Sequence, residues 1–190
     1  MTRRARRPKG EKSSRSARLR ALGDPLDFIL RDHHRLREIC AEIDRLAEKD
    51  HPTADEAEMV LGFLRQELPQ LIDDERDDLL PLMLRRCPPE DEIGRLKDRL
   101  DWEHDIVQAC LPFVVEAFEG VWLYGRALSP DAAASMRAFT GHLRRHLIVE
   151  NAVLIPLARV RLGRADLDML SLRMLRRRGL DRLLELPDAD

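Results

Sequence analysis

Apolar residues recur along most of this chain at steps of three and four, the spacing of one helix face. After "GDP", the residues Leu26, Ile29, Leu30, His33, Leu36, Ile39, Cys40, Ile43 and Leu46 keep to one such face. Asp24 is placed as N-cap and Pro25 at the first helical position, where its missing N–H costs nothing. "HPT" at 51–53 breaks the pattern, which resumes from about Ala54 to Cys87 with Pro69 and Pro81 as expected kinks. A third run covers about Asp91 to Val121, with a bend expected at Pro112. Ser129 caps a fourth, from Pro130 to about Leu162, and "GRADLDMLSLRMLRRRGL" adds a shorter fifth. Four long helices on short links must run antiparallel to their neighbours. The pattern therefore predicts an all-α protein: an antiparallel up-down-up-down four-helix bundle with a short extra C-terminal helix. Its divisions are a basic arm over 1–22, the bundle over 23–163, and a C-terminal helix and tail over 164–190.

Composition changes this picture in two places. The formal net charge of −2 hides nine Lys/Arg against one Glu in the first 20 residues, so a basic arm precedes an acidic body. The arm has no aromatic residue and no amphipathic stripe. It reads as a disordered, solvated segment in preference to a nucleic-acid or anionic-membrane contact. The three cysteines are far apart, with no Cys-x-x-Cys. This speaks against a disulfide framework and predicts a cytoplasmic protein. No run of 18 apolar residues occurs, so no membrane span is expected, and "MTRRARR" lacks the apolar stretch an export signal needs.

The polar positions within the apolar faces carry the chemistry. His33 and His104 each follow an acid, in "RDHHRLREI" and "WEHDIVQAC", 71 residues apart. Leu71, Glu75 and Pro81 recur 75 residues later as His146, Glu150 and Pro156. The nearly equal offsets describe a duplicated helix pair. Residues four apart share a face, so His146 and Glu150 aim at one point, with His33 and His104 arriving from other helices. Imidazoles with carboxylates suit Fe, Zn or Mn, and histidine without cysteine favours iron. Burying that many ionisable groups without a compensating charge is costly, which argues for a metal. Asp32 and Glu103 neighbour the histidines in sequence and are expected to point elsewhere, into solvent. His34, about 100° from the apolar face, and His51, in a break, are expected in solvent too. The cysteines and tryptophans are read as packing or helix-end residues.

"DHHRLREI", "WEHDIVQ" and "HLIVENAVLIP" resemble the hemerythrin-like (HHE cation-binding) family over about residues 25–160. The resemblance implies a four-helix bundle holding a non-haem di-iron centre that binds O2 or responds to NO or redox state. By motif match its ligands are His33, Glu75, His104, His146 and Glu150. The family's second histidine falls on Leu71, which cannot bind metal. Three outcomes stay open: one ion complete and the other weak or absent, an oxygen ligand such as Glu67 in place of the lost nitrogen, or no metal at all. His142 mirrors Glu67, four residues before the duplicated position, and the two are candidates for a second polar layer. The expectation is one or two non-haem iron ions, with O2, NO or another small oxidant as partner, or iron buffering. The alternative is a metal-free bundle acting as a regulatory or protein-interaction module. No nucleophile–base pair or phosphate loop is found, so an ordinary enzyme is not expected. Oligomeric state is left open.

Overall fold

In the computed structural model the described residues are Leu19, 23–49 and 51–184. Apart from Leu19, the basic arm lies outside them. Helix α1 spans Pro25–Ala47, and Asp24 caps it by accepting the Leu26 N–H at 2.8 Å. Helix α2 covers residues 54–86 and opens with a reciprocal capping box between Thr53 and Glu56. Helix α3 is Ile93–Tyr124 and ends at Gly125 in the left-handed region, φ 60°, where a Cβ would be strained. Helix α4 covers 130–161, capped by Ser129 on the Ala132 N–H. Helix α5 is Arg164–Arg177. No strand occurs among the described residues.

Short links join the long helices, so α1 packs on α2 and α4, and α3 packs on α2 and α4. The shared core is mainly aliphatic with three phenylalanines: Leu26, Ile29, Leu36, Ile43, Leu64, Leu68, Leu79, Phe63, Phe118 and Phe139 are all buried. The periodic residues of α1 are buried, His33 among them, except for the half-buried Leu30.

The expected kinks at Pro69 and Pro81 take a specific form. Each proline is preceded by one turn of π-helix, Phe63–Glu67 and Asp74–Leu79, and Pro156 follows a third, Glu150–Leu154. A proline has no N–H and its ring collides with the carbonyl four residues back. The chain widens locally, and the N–H just before the proline reaches back five residues: Leu68 to Phe63, Leu80 to Glu75, Ile155 to Glu150. Pro112 produces no such turn; α3 stays α-helical through it, and Pro112 and Gln108 are exposed, so water can serve the freed carbonyl.

Helix α5 lies against α1 and α2. Arg173 and Arg177 bond Asp78 at 2.9 and 2.8 Å, and Arg178 forms an ion pair with Asp74 at 2.7 Å. Arg177 also pairs with Asp74. At the other end, Arg86 grips Asp166, which in turn accepts the Gly163 N–H at 3.2 Å and starts the helix. The run "DDERDD" on α2 is thus the landing site for the arginines of "RMLRRR".

Candidate metal centre

All four long helices deliver a polar side chain to the same buried point. His33 comes from α1, Glu75 from α2, His104 from α3, and His146 with Glu150 from α4; none is more than 3 % exposed. Glu75, His104, His146 and Glu150 each offer a ligand-type atom within 4.8 Å of the others. His33 joins them through its Nε2, 2.6 Å from Glu75 Oε1 and 3.5 Å from Glu150 Oε2. The second oxygen of Glu75 lies 3.2 Å from His104 Nε2. His146 Nε2 is 3.1 Å from Glu150 Oε1, and the His104 and His146 rings meet edge-on at 4.6 Å.

The two π turns explain how the carboxylates get there. Glu75 and Glu150 each sit six residues before a proline, and in each case the widened turn bonds through the glutamate's own carbonyl. Single π turns inside α-helices are frequent at functional sites because they re-aim side chains.

Packed this way, the groups satisfy one another only in part: Glu75 pairs with His33 and His104. His146 Nε2, both oxygens of Glu150 and His104 Nδ1 are buried without a hydrogen-bond partner. Unpaired buried polar atoms are costly, and four in one cluster are unusual for a finished core. Three of the four face the shared point between the imidazoles and carboxylates, where a cation would satisfy them. Electrostatics point the same way. Burial disfavours a charged His33 ring, yet the bond and charge of Glu75 overcome it and raise the pKa to about 9. At His146 burial is again outweighed, first by the Glu150 charge, and the pKa also reaches about 9. Burial acts against ionised Glu75, but His104 and His33 hold its carboxyl well below the usual range. Burial, then the Glu75 charge, pushes Glu150 up. Anionic surroundings that hold protons on imidazoles also favour a metal ion in their place.

Two further residues complete the site, and the sequence expectation for one of them is corrected. Glu103 is not solvated: it is 6 % exposed and accepts the His146 Nδ1–H at 2.9 Å, while Arg99 Nε donates to its other oxygen at 2.9 Å. It does point away from His104, but α4 occupies that direction. Asn151 Oδ1 lies 3.2 Å from His33 Nδ1, and its amide is anchored on the Leu147 carbonyl at 2.6 Å. Such partners fix the ring that presents its other nitrogen to a metal. Sequence reasoning missed Asn151, whose only signal was its place beside Glu150.

Glu67 is not brought into the cluster. Its carboxylate lies at the surface, 2.8 Å from Arg35. A solvated cation there costs less than burying a carboxylate with no nitrogen to share. His142 also stays outside: it approaches the Glu103 carbonyl at 3.3 Å and the edge of Trp102 at 6.5 Å. The second polar layer is therefore not formed. Leu71 is 3 % exposed and walls a cavity of about 10 Å³ together with Glu75, His104, His146 and Glu150. Asp32, the counterpart of Glu103, has no imidazole to orient; it lies 3.4 Å from Arg178.

Three buried imidazoles and two carboxylates, drawn from four antiparallel rods, define a cation-binding helical bundle. The chain belongs to the hemerythrin HHE cation-binding domain family, whose sequence model matches residues 24–158. No curated protein matches the sequence.

Proposed function

We propose that this protein holds non-haem iron, one or two ions, and uses it to bind or sense O2, NO or redox state, or to buffer iron. The observation that carries the reading is the set of orphaned buried atoms on His146 and Glu150 beside His104, His33 and Glu75. His33, His104 and His146 would supply neutral nitrogens; Glu75 and Glu150 would supply oxygens. Iron so held supplies a redox-active centre for a small diatomic ligand or oxidant. The protein's own part is to position and to exclude. Glu75 spans two imidazoles with its two oxygens, and would offer a carboxylate oxygen beside each. Glu103 and Asn151 fix the His146 and His33 rings. Leu36, Leu68, Ile72, Val107, Leu143 and Leu147 wall the cavity with hydrocarbon, which keeps bulk water and larger polar molecules out.

Nitrogen donors are unequally divided. The half of the site built on α3 and α4 has His104, His146 and the Glu103 support; the half built on α1 and α2 has His33, Leu71 and an Asp32 turned to an arginine. This favours one firmly held ion over two.

The test is iron per chain after anaerobic loading and desalting, with near-UV oxo-to-iron bands read alongside. The wild type is expected to retain at least one ion, His146→Ala to lose it, and Leu71→His to gain one. A folded wild type that retains no iron would sink this reading and leave the metal-free interaction module in its place.

A further inference from the structure

Helix α3 carries a second pattern on the side away from the core. Arg99, Trp102, Ile106, Ala109, Phe113 and Glu116 follow one another at steps of three, four, three, four and three. That alternation is the seam of two helices packed along their length. The core-facing residues of α3, among them Leu100, His104, Val107, Val114 and Phe118, lie on the other side. Along the seam Trp102 is 62 % and Phe113 68 % exposed, the Arg99 side chain is 56 % exposed, Ala109 and Glu116 are exposed, and Ile106 is half-buried. Two aromatic rings this open on one helical line, with an aliphatic residue between them, form an apolar surface of the kind that marks an interface.

The seam is complementary to itself read backwards. Its order is cation, aromatic, aliphatic, small, aromatic, anion. A two-fold axis midway between Val107 and Gln108 would lay α3 antiparallel on the α3 of a second copy. Trp102 then faces Phe113 of that copy, bulky Ile106 faces small Ala109, and Arg99 faces Glu116. All three pairings follow from a single axis position, and each occurs twice, as an isologous contact requires. Aromatic pairs and opposite charges both favour this register. Parallel pairing would set Arg99 against Arg99 and Glu116 against Glu116. The seam is about 25 Å long at the helical rise of 1.5 Å per residue.

We infer that the outer face of α3 is the contact surface of an antiparallel homodimer, closed by Trp102–Phe113 and Arg99–Glu116 pairs between copies. A lipid surface fits the observations less well. By length and composition α3 could cross a membrane, but its inner face carries His104 and Glu103 into the bundle, and the seam ends on Glu116 and is bordered by acidic Asp98 and Asp105. Anionic headgroups would be repelled there. The inference is independent of the metal, although Arg99 also donates to Glu103, so the seam adjoins the support of His146.

Sedimentation of the full chain over a concentration series tests it. The wild type is expected to dimerise, and Trp102→Glu or Phe113→Asp to weaken the dimer about thirtyfold or more with unchanged helix content by circular dichroism. Arg99→Glu and Glu116→Arg are each expected to be impaired alone, and an equimolar mixture of the two to recover a heterodimer, because every cross-pair is then opposite in charge. A wild type that stays monomeric overturns the proposal, whether or not it floats with phosphatidylcholine vesicles. So does a dimer that the aromatic variants leave intact, or a mixture that recovers nothing.

Discussion

Glu103 shows how much a single carboxylate contributes by direction alone. It sits beside His104 in sequence but serves His146, 43 residues away, and Arg99 steadies it from the turn before. Arg99 and His146 hold its carboxyl below the ordinary range against the opposing effect of burial. It is therefore ionised where it meets the ring, and an anion on Nδ1–H strengthens the opposite nitrogen as a donor. Glu103→Gln keeps the shape and removes the charge. It is expected to weaken iron binding about tenfold or more, read by chelator competition, whereas Glu67→Ala leaves the affinity unchanged because Glu67 pairs with Arg35 outside the cluster. An equal effect from both would contradict these placements. At this scale the inward set His33, Glu75, His104, His146 and Glu150 was legible, because each sits on an apolar face and the chain writes the pattern twice. The supports Glu103 and Asn151 were not. A residue off its own helix's core face is buried only when another helix arrives there, and no helical period encodes the neighbour.

At the scale of elements, the repeated Glu-to-Pro spacing acquires its meaning. Read as sequence, Glu75–Pro81 and Glu150–Pro156 are equal offsets and two kinks. Folded, they are two π turns that bond through the glutamate carbonyls, and so set where the carboxylates point. Pro156→Ala restores an N–H able to bond the Ala152 carbonyl, which lets the ordinary α-helical ladder compete with the π turn. Thermal stability is expected to hold or rise, while iron affinity falls at least about tenfold as Glu150 is re-aimed. Iron binding that survives the change would show that the π turn is incidental to the site. Pro112 supplies the contrast: it lies in α3 with its turn exposed, gives no π turn, and stands in no repeat.

For the whole molecule, α5 answers a question that periodicity leaves open. It docks on its own bundle, where the C-terminal end of α5 and its C-cap place Arg173, Arg177 and Arg178 on the acids of α2. Asp74 is fully buried beneath them; burial raises its carboxyl to about 6, with Arg178 and Arg177 opposing. Removing both cations would strand a buried charge. The Arg177→Ala/Arg178→Ala double variant is expected to lose about 3–5 kcal/mol by denaturant unfolding, and adding Asp74→Asn to recover part of it. No loss would show that α5 rests on the bundle without supporting it. The matched family region ends at 158, before α5 begins.

Sequence alone determined the number of helices, their antiparallel order and the face each turns inward. These follow from local periodicity, capping and short links, which act within one rod or between consecutive rods. It also set the inward place of His33, Glu75, His104, His146 and Glu150, since they occupy positions that hydrocarbon otherwise fills. Only the tertiary structure decided what those groups meet: that Glu75 lies between His33 and His104, that Glu103 turns to His146, and that Asp32 is left to an arginine of α5. Each of these depends on the distance and rotation between rods far apart in the chain, and those are fixed by the packing of the whole core.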